Sequence, residues 1–243
     1  ANSGDWSVAG DWGTFTFDQG DSAMGTGGGD ADSVSNMRFG MAGTYEGGEN
    51  ISGGDIAYSN TIGPISFAIG MGDGGTGSEA NETSYGVSYS ASVNGADVTL
   101  GYAAASTGSA TSAVGSTDLN ASSMNLDVTV GAIGVSMAQN AEKTDRNDDN
   151  ASGAGTTDMD STNFGVTYAV SDSLTLQAAS VAASGTIAGD ATYKYDESAY
   201  GISYNVATGL DLKVSYSDFT QSGGAAITDV SCLLYTSPSP RDG

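Results

Sequence analysis

The chain has 243 residues, among them 37 Gly, 3 Pro, 12 Tyr and no His, and only 14% of its side chains are charged. Six basic residues against 29 acidic ones give a formal charge of −23. That balance argues against a nucleic-acid partner, because displacing counterions from phosphates takes Lys and Arg, and it suits cations. Without His, Ser–His and His–metal catalysis are unavailable. No catalytic residue, cofactor or metal site is therefore expected. No apolar run is long enough for a transmembrane helix. If this chain meets a membrane, it does so with strands.

The chain opens ANSGDWSVAG, without an initiating Met, a charged n-region or an apolar h-region, so we expect more protein in front of it. Trp6–Gln19 reads as a short hairpin, followed by the longest connection, from Gly20 to about Gly53. Hairpins then recur at Ile56–Met71, Tyr85–Tyr102, Met124–Gln139, Phe164–Ser180 and Tyr200–Tyr216. In YGVSYSASVNGADVTLGY, Tyr85, Val87, Tyr89, Val98, Leu100 and Tyr102 alternate with Gly, Ser, Asp and Thr. Period-two alternation around Asn94–Gly95 is the signature of a two-faced hairpin. Gly131–Ala132, Ser171–Asp172–Ser173 and Thr208–Gly209 supply further tight turns.

Between the hairpins lie polar segments, Gly72–Thr83, Ser106–Ala121, Lys143–Asp160 and Ala183–Glu197, which hold most of the acidic residues. Short turns thus alternate with long loops. The pattern predicts about twelve strands of roughly nine or ten residues, longer than the five or six usual in soluble sheets. Tilted by about 40°, such a strand spans roughly 25 Å, the apolar height of an outer-membrane barrel. The expected fold is all-β: a transmembrane antiparallel up-and-down β-barrel with short periplasmic turns and long extracellular loops. Bulky apolar residues would face lipid, with Tyr near both interfaces, and the polar set would face water. A soluble β-sandwich also alternates, and stays open as a rival.

The tail departs from this pattern. CLLYTSPSPRD (Cys232–Asp242) lacks the alternation and holds two of the three Pro. It back-translates in one frame to a transposase sequencing adapter. We therefore expect residues 1–231 to be a partial barrel, residues 232–243 to be a non-native tail, and the single Cys to have no role.

The front of the chain carries a family likeness. WSVAGDWGTFTFDQGDSA (Trp6–Ala23) resembles the hairpin that precedes the constriction loop of general porins of Gram-negative bacteria, although Asp18 stands where a basic residue is common. GGDIAYSNTIGPISFAIGMGDG (Gly53–Gly74) is similar to that family's next hairpin. The resemblance is one of pattern and covers nearly the whole chain. It implies about twelve of roughly sixteen strands, with 20–53 as the constriction loop, a homotrimer in outer-membrane lipid, and passive diffusion of small hydrophilic solutes.

Carboxylates facing a wet lumen favour cations over anions. The wall candidates are Asp18, Asp97, Asp127 and Asp211, with Lys213 the main opposing charge. On the constriction loop they are Asp21, Asp30, Asp32, Glu46 and Glu49, with Arg38 as a possible partner. Asp145, Asn147 and Asp149 imitate an EF-hand start, but Asn150 and Thr156 occupy its Gly and Glu places, so a solvated loop is expected. GTGGGD (Gly25–Asp30) lacks a following Lys and is no phosphate loop. A cation-preferring porin is the leading expectation. A secreted acidic β-rich adhesin and a substrate-specific outer-membrane channel are the alternatives.

Overall fold

The computed structural model describes residues 6–17, 56–72, 81–108, 116–147, 155–187, 191–207, 210–222 and 227–238. Their alternating sequence forms thirteen strands: β1 (Trp6–Gly10), β2 (Gly13–Phe17), β3 (Ile56–Ile62), β4 (Ile65–Gly72), β5 (Asn81–Val93), β6 (Ala96–Gly108), β7 (Ser116–Val130), β8 (Ile133–Asn147), β9 (Gly155–Ser171), β10 (Leu174–Ile187), β11 (Ala191–Ala207), β12 (Leu210–Ser222) and β13 (Ile227–Pro238). Each pairs antiparallel with the next, giving one sheet in chain order without a crossover. The ladder begins at β1 and ends at β13, so the wall is an open arc.

Turn chemistry pins the register. Asn94 and Gly95 both have positive φ, 52° and 82°, the pair of left-handed residues that a type I′ hairpin needs. They close β5 on β6 with Val93 opposite Ala96. A slip of one residue would move every bulky side chain to the opposite face.

The register gathers the apolar residues on one face. Val98 lies opposite Val128 and Leu100 opposite Leu126, while Ile202 lies opposite Val214 and Tyr200 opposite Tyr216. This face is open: Tyr200 is 57% exposed and Met124 52%. The other face is buried and carries mostly small or polar residues, with Ala103 at 0% and Ala138 at 1%, together with a cluster of Val181, Ala183, Tyr193 and Tyr195. Among the described strands, side-by-side neighbours make the contacts and no second layer stacks on the sheet. Crowding therefore marks the buried face as the concave, inner side of the arc. The β-sandwich reading fails here, because the bulky residues have no opposing sheet to meet.

An apolar convex face of this extent does not remain in water, since contiguous exposed patches beyond a few hundred Å² mark contact with protein or membrane. Aromatic residues follow its margins. Tyr85 and Tyr102 lie 6.1 Å apart between ring centres, and Trp6 stacks on Phe17 at 4.0 Å. Tyr89, Tyr168 and Tyr204 stand nearer the tight turns, and all three are exposed.

Two expectations change. Strands β5 to β12 run 13 to 17 residues, longer than the expected nine or ten. The extra length comes from segments assigned to loops: β10 continues to Ile187 and β11 begins at Ala191. Beyond the apolar band the outer face turns polar while Val181, Ala183, Tyr193 and Tyr195 cluster on the inner one, so the outward hydrophobic stripe ends while backbone pairing continues. The count also rises from twelve to thirteen, because β13 pairs with β12 through Pro238 opposite Leu210. Backbone hydrogen bonds ignore side-chain identity, so a free edge accepts a strand wherever a hairpin delivers one.

Candidate pore-lining face

The inner face carries polar residues between two apolar clusters, one of Ala103, Ala105 and Ala121 and one of Val181, Ala183, Tyr193 and Tyr195, and its positions follow from counting by two. Residues brought side by side include Ser90, Thr99, Asp127, Ser136 and Gly165, each cross-strand from the next. Ser90 and Thr99 share a hydroxyl hydrogen bond of 3.0 Å. Ser92 donates to the Asp97 carboxylate, and Asn125 Nδ2 donates to Asp127 Oδ2 at 2.9 Å. Asn140 Nδ2 reaches Ser161 Oγ at 3.2 Å. Tyr195 donates its phenol proton to Glu197 Oε2 at 2.6 Å. Small residues and polar caps together make a wettable wall.

Three of the predicted wall residues, Asp97, Asp127 and Lys213, share the register of this inner face with Thr129, Ser136 and Ser203. Asp211 is described by its backbone, paired with Asn205. Asp18 and the loop candidates Asp21, Asp30, Asp32, Arg38, Glu46 and Glu49 lie outside the described residues, as does all of segment 20–53. What the structure does give is the frame around that segment: Phe17 and Ile56, the described residues on either side of 18–55, are cross-strand partners on β2 and β3.

Two inner-face carboxylates escaped the sequence reading. Glu142 lies opposite Ala121 and Met159, and Glu197 lies opposite Val181, beside buried Tyr195. Glu197 sits in a segment assigned to a loop, and Glu142 falls between the Met124–Gln139 hairpin and the Lys143–Asp160 loop. Continuing the count by two from Ser136, or backward from Ser203, would have found them.

The acids fall at two heights. Asp97 and Asp127 lie close to the tight turns, whereas Glu142 and Glu197 lie about nine or ten residues up their strands. At about 3.3 Å per residue and a tilt near 40°, the two tiers are separated by roughly 15–20 Å along the axis. Between them runs a neutral belt that includes Ser123, Asn125, Asn140, Ser161 and Asn163. Among the described side chains on this face, Lys213 is the cation opposing them. Such a surface attracts positive charge and hydrates readily, and its chemistry suits passage.

A single up-and-down sheet with a bulky outer face and a wet inner face is the wall of a transmembrane β-barrel. Comparison with solved structures gives the same class. The chain matches OmpT, an outer membrane protein of Vibrio cholerae, with a TM-score of 0.65 and 15% identity over 93% of this chain and 74% of that one. It matches a porin at a TM-score of 0.63 and 17% identity, over 95% and 79%. It matches the anion-selective porin from Comamonas acidovorans at 0.63 and 13% identity, over 95% and 73%. The fold is thus porin-like, that of the Gram-negative outer-membrane β-barrels. No protein-family profile matches the chain, and no curated protein does.

Proposed function

We propose that the protein forms a water-filled channel in the outer membrane through which small hydrophilic solutes diffuse passively, with a preference for cations. The observation that carries this reading is the sorting of side chains by face: bulky apolar residues outside, hydroxyls, amides and carboxylates inside. Outer-membrane barrels with polar interiors conduct water and solutes. The fold supports either charge preference, as the anion-selective neighbour illustrates, so wall charge decides. Here Asp97, Asp127, Glu142 and Glu197 outweigh Lys213 on the inner face.

Segment 20–53 serves as the constriction loop in this reading, adding Asp21, Asp30, Asp32, Glu46 and Glu49 to the lumen with Arg38 among them. The role is that of a channel rather than an enzyme. By resemblance to general porins the protein works as a homotrimer. Planar-bilayer recording on the full-length gene product tests the proposal. Stepwise conductance with a reversal potential toward that of K⁺ in a KCl gradient is expected. Absence of steps, or a reversal potential toward that of Cl⁻, contradicts it.

A further inference from the structure

The outer face carries a groove that a channel does not need. A row of small side chains crosses this face where the apolar band ends: Tyr85 lies opposite Ala104, Ala104 opposite Ser122, and Ser122 opposite Ala141. One row nearer the tight turns stand Tyr102 and Met124, both large and exposed. One row farther from them come Ser106, Asn120 and Lys143, with Asp158 opposite Lys143. Small residues between larger ones leave a space of about 420 Å³, lined by Ala104, Ser122 and Ala141 with Tyr85 at one end and Lys143 and Asp158 at the other. That volume lies within the roughly 300–1,000 Å³ usual for small-molecule sites. The groove reaches from β5 to β9, four strand spacings or roughly 19 Å.

Its position and its lining point to the same occupant. Tyr85 and Tyr102, 6.1 Å apart between ring centres, are the amphipathic side chains that mark a membrane–water boundary. The groove lies on the strand halves remote from the tight turns, which in such barrels face the outer leaflet. On the convex face of a barrel, any surface that protein leaves bare is covered by lipid. The lining is rich in donors: the hydroxyls of Ser106 and Ser122, the amide of Asn120 and the ammonium of Lys143. Among the described side chains, Lys143 and Lys194 are the lysines on the outer face, and both stand at this height. Register carries the row of Ala141 through Asp160 and Ser184 to Lys194. In a chain of net charge −23, cations gathered at one level are suited to phosphate there.

We infer that the groove holds the phosphate-bearing headgroup of an outer-leaflet lipid; this rests on the outer face meeting the membrane. Lys143 faces the phosphate as a point charge, and the hydroxyl and amide donors meet its ester and sugar or glycerol oxygens. The methyl groups of Ala104 and Ala141 receive the apolar root of the chains. Asp158 keeps the groove near neutrality, so shape and hydrogen bonding select the ligand together with charge.

The test is native mass spectrometry of the full-length protein released from detergent, titrated with phosphatidylglycerol or with the diacylglycerol of the same chains. The wild type is expected to retain one phosphatidylglycerol per chain in preference to diacylglycerol. Lys143→Gln should weaken that retention about threefold to tenfold, the range for one interfacial charge, and Lys143→Arg should keep it. Ala141→Leu, which fills the groove, should abolish the preference. Ala182→Leu, the same change at an exposed outer-face position on β10, should leave it intact. Heat-modifiable gel mobility confirms that each variant is folded. No preference in the wild type, or equal loss in Ala141→Leu and Ala182→Leu, overturns the site. Weakening by Ala141→Leu but not by Lys143→Gln overturns the phosphate assignment. A lower oligomer mass in Ala141→Leu gives the groove to a second copy and likewise overturns the lipid site. A wild type that fails to insert into phosphatidylcholine vesicles removes the outer-face reading itself, whereas an inserted protein with no preferred lipid removes the site alone.

Discussion

Tyr195 donates its phenol proton to Glu197 across 2.6 Å on β11, and both side chains are buried on the face that lines the proposed lumen. A phenol held by a carboxylate is a charge-assisted hydrogen bond, and it fixes the acid in one rotamer high on the wall. Tyr195→Phe should leave the barrel assembled but lower its unfolding free energy by about 1.5–3 kcal/mol, the range for hydrogen bonds to charged groups. Urea unfolding in lipid vesicles reads the change. No loss would mean that the contact is incidental.

The two tiers of acid predict additive shifts in selectivity. Glu197→Gln and Asp127→Asn should each lower the cation-to-anion permeability ratio by about twofold to fivefold, given the screened interaction of a wall charge with an ion a few ångströms away. Lys213→Gln should raise the ratio. Reversal potentials in a KCl gradient check all three, and a change of the opposite sign for Lys213→Gln would place that residue off the conduction path.

Neighbouring residues on one strand should respond oppositely to the same substitution. Val87 faces out and Ser88 faces in, between cross-strand partners Tyr102 and Gly101. Val87→Arg should cost about 2–4 kcal/mol of folding in bilayers, the penalty for Arg near the midplane of a barrel's lipid face. Ser88→Arg should fold normally and move selectivity toward anions. Folding yield by gel mobility separates the two.

The hairpin turn between β5 and β6 depends on left-handed backbone at Asn94. Asn94→Val should destabilise the barrel by about 1–2 kcal/mol, because a β-branched residue resists positive φ. Asn94→Gly should be tolerated. Refolding into vesicles followed by urea titration gives both values.

Much of this was legible in the sequence because a two-residue period and turn chemistry are local. Val98, Leu100 and Tyr102 announce their shared face without any tertiary information, and Asn94–Gly95 announces the turn. Glu142 and Glu197 were missed because the outward apolar stripe ends before them while the ladder continues, and around Glu197 the apolar residues Val181, Tyr193 and Tyr195 face inward instead. The row of Asn125, Ala138 and Asn163 on the inner face was invisible for a different reason. Asn125, Ala138 and Asn163 meet only through inter-strand register, which no single strand encodes. Strand β13 escaped for a related reason, since edge pairing requires a neighbour's free backbone rather than a pattern of its own.

The central claim is which face of the strands meets hydrocarbon. The direct measurement is labelling of single cysteines at positions 85, 87, 88, 89 and 90 of β5, in a Cys232→Ser background, by a cationic, membrane-impermeant thiosulfonate on vesicle-embedded protein. Ser88→Cys and Ser90→Cys should react, while Tyr85→Cys, Val87→Cys and Tyr89→Cys should stay protected. The reverse phase, or reaction at every position alike, would contradict the account.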